Sequence, residues 1–436
     1  MSDSARVKHD PFAALRQPAF VTFAVSRVAS GMGMTLVQAA IAWQIYQISG
    51  SALQLGVMGL VQFIPAFLGL SLFGGAFADS HDRRVISMLA HIAPLATSSA
   101  LVVATAAGAV TLPLIYVAVF LMAVASAFEN PARQALLISV VTPETFPNAV
   151  TVNTTAQQLG FVTGPVIGAF LIAWLGIGFA YGAHIVLVAT SLAALAMLRP
   201  RPREGEPRKV SIAAIKEGLQ FVFSRQVLLG AMTLDMFAVI FGGATALLPV
   251  YATDILGVGA LGYGILAASL DVGALVMSVA LVFLPPVQRT GRALMLAVAG
   301  FGVGTIVFGL SRNFALSMFA YMFVGASDQI SVVMRFTTVQ LATPDELRGR
   351  VSSVNMLFVG ASNQLGRVES GFLAAATSAT FAVASGGLGC LAVLGAVGKW
   401  MPELRSYRIS AALSHVVLPA ANQERADEEE TAAAAG

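Results

Sequence analysis

Charge is what this sequence most lacks. Asp, Glu, Lys and Arg together make up 11% of its 436 residues, where a soluble protein carries about 25%. With 57% apolar residues, a string of soluble domains is excluded. The same length has room for twelve spans of roughly 20 residues each. Cysteine is nearly absent too. Cys390 stands alone, so no disulfide forms within the chain, and it sits in an apolar run as a small apolar residue. No His/Cys/acid cluster suggests a metal site, and no cofactor is expected. No Walker loop is present, which excludes an ATP-driven pump. Gly257-Val-Gly-Ala-Leu-Gly262 has the spacing of a dinucleotide loop, but no strand precedes it, and dinucleotide binding is rejected. The net charge is only +3, so no nucleic-acid partner is implied.

What is present is apolar sequence in long runs. Candidate spans fall at about 19–47, 52–78, 85–109, 112–133, 148–175, 178–198, 227–253, 260–284, 293–311, 314–336, 349–376 and 379–398. Several exceed the bilayer thickness, so tilt is expected. Residues 1–18 are polar and the first apolar run is too long for a signal core, so no cleavable signal peptide is expected. The links after spans 1, 3, 5, 9 and 11 are nearly bare of charge, whereas those after spans 2, 4, 6, 8 and 10 carry it. Of the 25 Lys and Arg, all but Arg312, Arg27 and Arg367 fall on the side of both termini. That bias places both termini in the cytoplasm of a cell inner membrane.

Residues 199–226 divide the chain. Pro200, Pro202 and Pro207 forbid a helix at the start of the segment. From Val210 to Phe223 an amphipathic pattern follows, with Ile212, Ile215 and Leu219 opposite Lys216 and Glu217. It reads as a helix on the cytoplasmic face, a plain linker or a regulatory element. The halves repeat weakly. Thr142-Pro-Glu matches Thr343-Pro-Asp, Arg133 matches Arg335, and Asn153 matches Asn355. The expected organisation is a tail (1–18), a six-helix bundle (19–198), the central segment (199–226), a second bundle (227–400) and a tail (401–436) with a disordered distal part. The fold class is all-α: a membrane protein of twelve transmembrane helices in two pseudo-symmetric six-helix bundles.

A charge in hydrocarbon costs about 2.5–3.5 kcal/mol on insertion scales, so each buried one needs a reason. Arg27 lies in span 1, Glu129 in span 4, Asp235 in span 7, Asp271 in span 8 and Asp328 in span 10; Arg367 and Glu369 lie toward the outer end of span 11. The deep charges thus fall mainly on spans 1, 4, 7 and 10. Arg27 and Asp235 occupy the same position in the two halves, each about eight residues, or about 12 Å, inside the cytoplasmic face. Three readings are open. They form a salt bridge closing the cytoplasmic side; or Asp235 accepts a proton under the influence of Arg27; or they are static charges, paired or snorkelling. Asp271 and Asp328 join them as candidates for proton coupling or transport. His91 and His184 titrate near neutrality or are structural histidines on peripheral helices. In span 5, Gly160, Gly164, Pro165 and Gly168 form a stripe that permits close packing and a bend.

Two stretches carry a resemblance to a known family. Gly75-Ala-Phe-Ala-Asp-Ser-His-Asp-Arg-Arg84 resembles the loop between helices 2 and 3 of the major facilitator superfamily, with Ser80 and Asp82 departing from its pattern. Gly160-x3-Gly164-Pro165-x2-Gly168 resembles the helix 5 motif of that superfamily's antiporters, with Ala169 in place of its last Gly. Phe128–Leu137, Asp235–Gly243, Leu247–Val250 and Thr343–Val351 look like the branch of the enterobactin exporter and the transmembrane secretion effectors. The resemblance implies that helices 1, 4, 7 and 10 line a central cavity. It also implies a cytoplasmic latch of Asp79, Arg83, Arg84, Glu129 and Arg133, with Glu129 meeting Arg83 or Arg84 and Asp79 facing the start of helix 11; solvated charges are the plainer reading.

The function implied is secondary transport by alternating access, as proton-coupled efflux of a small amphipathic compound, siderophore or drug-like. Uptake or facilitated diffusion of a metabolite is one alternative. A non-transporting receptor or a lipid scramblase is another. The expected partners are the small-molecule substrate, protons and the lipid bilayer, with no nucleotide; a monomer is the expected state. No enzymatic activity is expected.

Overall fold

A computed structural model describes residues 13–70, 77, 81–142, 145–198, 212–285 and 287–408. Gly75, Ala78 and Asp79 of the charged loop, the proline-rich part of the central segment and the distal tail lie outside the described residues.

All described secondary structure is helical. In chain order the elements are α1 (Pro18–Ser49), α2 (Ala52–Phe67), α3 (Arg83–Ala106), α4 (Leu112–Val140), α5 (Phe146–Leu175) and α6 (Ile177–Met197). They continue with α7 (Ile212–Ser224), α8 (Gln226–Ile255), α9 (Gly259–Phe283), α10 (Thr290–Leu310), α11 (Phe314–Leu341), α12 (Asp345–Ala376), α13 (Ala379–Trp400) and α14 (Pro402–Ser406). Among the described residues ten helices are long and apolar enough to cross a membrane. The other two expected spans are α2 and α12. The described part of α2 has 16 residues. α12 is long at 32 residues, but it carries Arg350, Asn355, Asn363, Gln364, Arg367 and Glu369 and is too polar to qualify.

Local chemistry sets the ends and breaks. Gly50 closes α1 with φ 58°, a left-handed conformation in which its N–H reaches the Tyr46 carbonyl at 2.7 Å. Gly176, at φ 93°, turns α5 into α6 within one residue. α3 is interrupted at His91, because Pro94 has no N–H to offer the Ala90 carbonyl. α8, expected as one continuous span, is broken. A regular segment Gln226–Phe241 gives way to a 3₁₀ turn at Gly243–Leu247 and a π turn at Tyr251–Ile255. Pro249 again removes a donor, and Gly242 and Gly243 accept close neighbours: a Cβ on Gly242 would lie 2.7 Å from the Ala238 carbonyl.

Helices α1–α6 pack chiefly on one another, as do α8–α13. Two main pairings join the sets, α2 on α12 and α5 on α9, with smaller contacts of α1 and α2 on the broken end of α8 and of α1 on α9. Because the helices alternate in direction, the short turns after α1, α3, α5, α8, α10 and α12 share one face, called here the short-turn face. The start of α1 and the end of α13 lie on the opposite, terminal face. There α7 lays Val222 against Leu228, Met232, Val339, Val351 and Val354, and Glu217 pairs with Arg350 at 2.7 Å. Its apolar side is thus covered by the ends of α8, α11 and α12. The outer flanks of the molecule keep large apolar side chains exposed, Val282 and Phe283 among them, as a hydrocarbon environment favours.

Candidate functional site

Between the two sets lies a cavity of three adjoining parts. A wide chamber of about 370 Å³ is walled by residues of α1, α2, α5, α8, α9 and α12, including Gln38, Met58, Phe161, Tyr263, Asp271 and Arg367. A second chamber of about 230 Å³ shares Met34, Gln38 and Met58 with it and extends between α2, α4 and α12 to Asn130 and Gln364. A narrow branch of about 100 Å³ shares Thr245, Leu270, Asn363 and Arg367 with the wide chamber and runs to Tyr321 and Asp328. The break in α8 puts Gly242 and Gly243 on the wall of this branch. Irregular backbone at membrane depth is tolerated where it lines a cavity.

The charged residues singled out in the sequence separate into two groups. Asp271 and Asp328 face the cavity. Neither makes a hydrogen bond or ion pair with a described residue. Arg27 and Asp235 turn away from each other. Arg27 donates to Gln157 Oε1 at 2.6 Å, and Asp235 pairs with Arg335 at 3.0 Å, both side chains being buried. Of the three readings left open by their equal position in the two halves, the pairing across the cavity is therefore absent, because each finds a nearer partner within its own set. Arg335 also donates to Asn355.

The latch residues are also partnered differently from expectation. Glu129 pairs with Arg133, one turn along the same helix, and not with the loop arginines. Arg133 is buried, donates to Ser30, and has His91 Nε2 at 3.4 Å. Arg83 donates to the Ala135 carbonyl at 3.0 Å, and Arg84 donates to the Leu195 carbonyl at 2.8 Å and to that of Ala196. The two arginines thus tie the start of α3 to backbone carbonyls in the last turns of α4 and α6. Asp79 lies outside the described residues. His91 and His184 are buried; His91 meets Ser191 at 2.8 Å and His184 meets Ser98 at 2.6 Å. They act as polar ties between α3 and α6.

The α5 glycines explain how α1 and α5 come so close. A Cβ on Gly160 would stand 2.9 Å from Met32 N, on Gly164 2.6 Å from Met32 O, and on Gly168 3.2 Å from Leu36 Cγ. Pro165 lines the wide chamber, and its carbonyl lies 2.8 Å from where a Cβ on Gly264 would be. The motif therefore packs α1 on one side and α9 on the other.

Arg367 is the site residue that sequence reasoning leaves aside. Its span position puts it toward the outer end, yet it faces both the wide chamber and the narrow branch and donates to Gln62 Oε1 across the two sets at 2.8 Å. Gln62 is uncharged and gives no signal; the position of Arg367 on the polar side of α12 is the available clue.

Toward the short-turn face the cavity is sealed. Tyr46 at the end of α1 donates to Asp254 at the end of α8. Tyr263 donates to the Ala39 carbonyl at 3.1 Å and stacks on Trp43, with ring centroids 5.3 Å apart. Gly56 and Gly59 of α2 meet Gly371 and Arg367 of α12. Tyr46 and Asp254 are 208 residues apart, the register that equates Arg27 with Asp235. Tyr46→Phe removes this lock. It should raise maleimide labelling of a cysteine placed at Ala42, on the wall of the wide chamber, several-fold in a Cys390→Ser background. Unchanged labelling would show that the lock does not hold this end shut.

The model of the family described as "transmembrane secretion effector" matches residues 9–424. The multidrug efflux pump Tap of Mycolicibacterium fortuitum is 28% identical over 413 residues, covering 90% of this chain and 97% of that protein. The enterobactin exporter EntS of Escherichia coli O1:K1 / APEC is 23% identical over 395 residues, covering 90% and 94%. Among solved structures, a bacterial homologue of the human lysosomal transporter Spinster, inward-facing and unoccupied, superposes with a TM-score of 0.65 at 14% identity, covering 90% of this chain and 97% of that one. The nucleoside transporter NupG gives 0.66 at 12% identity, covering 90% and 100%. At such identities the structures speak for the fold alone. These relatives and neighbours are membrane transporters and not enzymes.

Proposed function

We propose, since this chain belongs to the transmembrane secretion effector family of major facilitator efflux transporters, that it exports a small amphipathic compound by proton-coupled alternating access. In this reading α1–α6 and α8–α13 are two six-helix bundles, twelve spans in all, with both termini in the cytoplasm. The short-turn face is then external, and the conformation described here has its outward exit shut. Export requires the bundles to rock so that α2–α12, α5–α9 and the Tyr46–Asp254 lock part while the cavity opens outward.

The observation that carries this reading is the cavity itself. It lies between the two sets, its walls are mostly apolar, and it holds the uncompensated carboxylates Asp271 and Asp328. A carboxylate with no partner at membrane depth is a group that gains from taking up a proton. Asp235, already paired with Arg335, is less suited to that task.

Proteoliposomes test the proposal. Wild-type protein should move a member of a panel of amphipathic compounds when a pH gradient is imposed, and an uncoupler should abolish the movement. Asp271→Asn should reduce gradient-driven transport about tenfold or more, a change of about 1.4 kcal/mol in coupling. Transport that persists undiminished with uncoupler would remove proton coupling and leave facilitated diffusion. Failure of every compound to move would favour a non-transporting role.

A further inference from the structure

We propose that the cavity selects organic cations, with a compact ammonium end entering the narrow branch beside Asp328 and the apolar body of the same molecule filling the wide chamber. This rests on the transport reading of the cavity and adds the sign of the charge its substrate carries.

Three features point the same way. The first is the set of side chains. Asp271 and Asp328 face the cavity without partners among the described residues, and Arg367 is the one basic side chain among those that wall the wide chamber and the branch. Arg367 is engaged by Gln62 at 2.8 Å. Asp235 and Arg335 lie within electrostatic reach of Asp328, but they compensate each other at 3.0 Å. Among the described residues, the charge facing the cavity is therefore two carboxylates against one guanidinium.

The second is backbone. The regular part of α8 ends at Phe241, and Val239, Gly242 and Gly243 line the branch. The carboxyl end of a helical segment is the negative pole of its dipole, and interrupted helices in transporters use such ends toward cations. A carboxylate or phosphate ligand would meet repulsion there from the backbone and from Asp328 together.

The third is shape. The branch, at about 100 Å³, has room for an aminoalkyl end and not for an aromatic body. Tyr321 and Phe301 line it, and aromatic faces attract a desolvated cation. The wide chamber, at about 370 Å³, presents Met34, Met58 and Phe161 to an apolar body; thioethers adapt to irregular shapes.

The test uses the full-length protein in lipid nanodiscs. It is titrated with dansylcadaverine, a dansyl body with a primary ammonium, and with N-dansyl-6-aminohexanoate, the same body with a carboxylate; binding is read from dansyl emission. The ammonium probe should bind at least about tenfold more tightly, as expected for a charge-assisted contact in place of a repulsive one. Asp328→Asn should remove most of that preference, Asp328→Glu should retain it, and Asp271→Asn should reduce it partly. Should Asp328→Asn fail to elute as a monodisperse species, the wild-type comparison and Asp271→Asn still decide the sign. Equal or tighter binding of the carboxylate probe, no saturable binding of either, or an unchanged preference in Asp328→Asn would overturn the proposal. Proteoliposomes that move both probes equally would sink the cation preference and leave the transporter reading intact. Discriminating binding with no movement of any compound would do the reverse.

Discussion

Gly56→Val is expected to cut transport by about five- to 150-fold while leaving a folded protein that still binds its ligand. At Gly56, α2 and α12 touch backbone to backbone. A Cβ there would stand 3.1 Å from Gly371 Cα and 3.0 Å from Phe372 Cδ2. One obstacle is main chain, so no side-chain rotation relieves the contact. Overpacking of this kind costs about 1–3 kcal/mol. The cost falls on the conformation with the short-turn face sealed and spares one in which α2 and α12 have parted. It converts to a shift of about five- to 150-fold between the two states. A cycle needs both, so turnover in proteoliposomes should fall by about the same factor. A spin-label pair across the short-turn face should report a longer mean distance. Gly395→Val is the control: a Cβ there meets nothing within 4 Å, and transport should stay within about twofold of wild type. Normal turnover in Gly56→Val would mean that this contact does not gate the cavity.

The other large effect concerns Asp235 and Arg335. Each is 5% exposed, and they pair at 3.0 Å. Asp235→Ala leaves a buried guanidinium without its counter-charge, which costs about 3–5 kcal/mol. Against a typical total stability of about 5–15 kcal/mol that is severe, and thermal unfolding of the purified protein should move down by many degrees. The double variant Asp235→Leu/Arg335→Met replaces the pair by apolar groups of similar size and should recover most of the lost stability. Transport then separates two roles. Recovery of stability and transport together makes the pair structural. Recovery of stability alone makes one of the two charges part of the transport cycle. A single variant as stable as wild type would contradict the buried-pair account.

Ten of the expected spans were legible for a one-dimensional reason. The bilayer has a fixed thickness, and a run of apolar residues either reaches across it or does not. A tight contact through the α5 glycines was equally legible, since they recur at the spacing that puts them on one helix face; that α1 is the helix they meet was not. Partner choice was not. Arg27 and Asp235 occupy equivalent positions in the two halves and look like partners on paper, yet Gln157 and Arg335 are closer in space. The same register is realised at Tyr46 and Asp254, because the two sets converge at the short-turn face. Glu129 likewise takes the arginine one turn away on its own helix over those of a distant loop. The break in α8 had a trace in Gly242, Gly243 and Pro249, but a glycine pair within an apolar run does not say on which side the helix will open.

Composition and order of residues alone settled that this protein lives in a membrane, how its apolar runs are spaced, and which few positions carry charge at depth; the solvent enforces those properties on each segment separately. Tertiary structure alone decided which of those charges neutralise one another and which are left facing the cavity. That choice depends on distances of a few ångströms between helices far apart in sequence, where a glycine contact such as Gly56–Gly371 or a neutral side chain such as Gln62 counts as much as any charge.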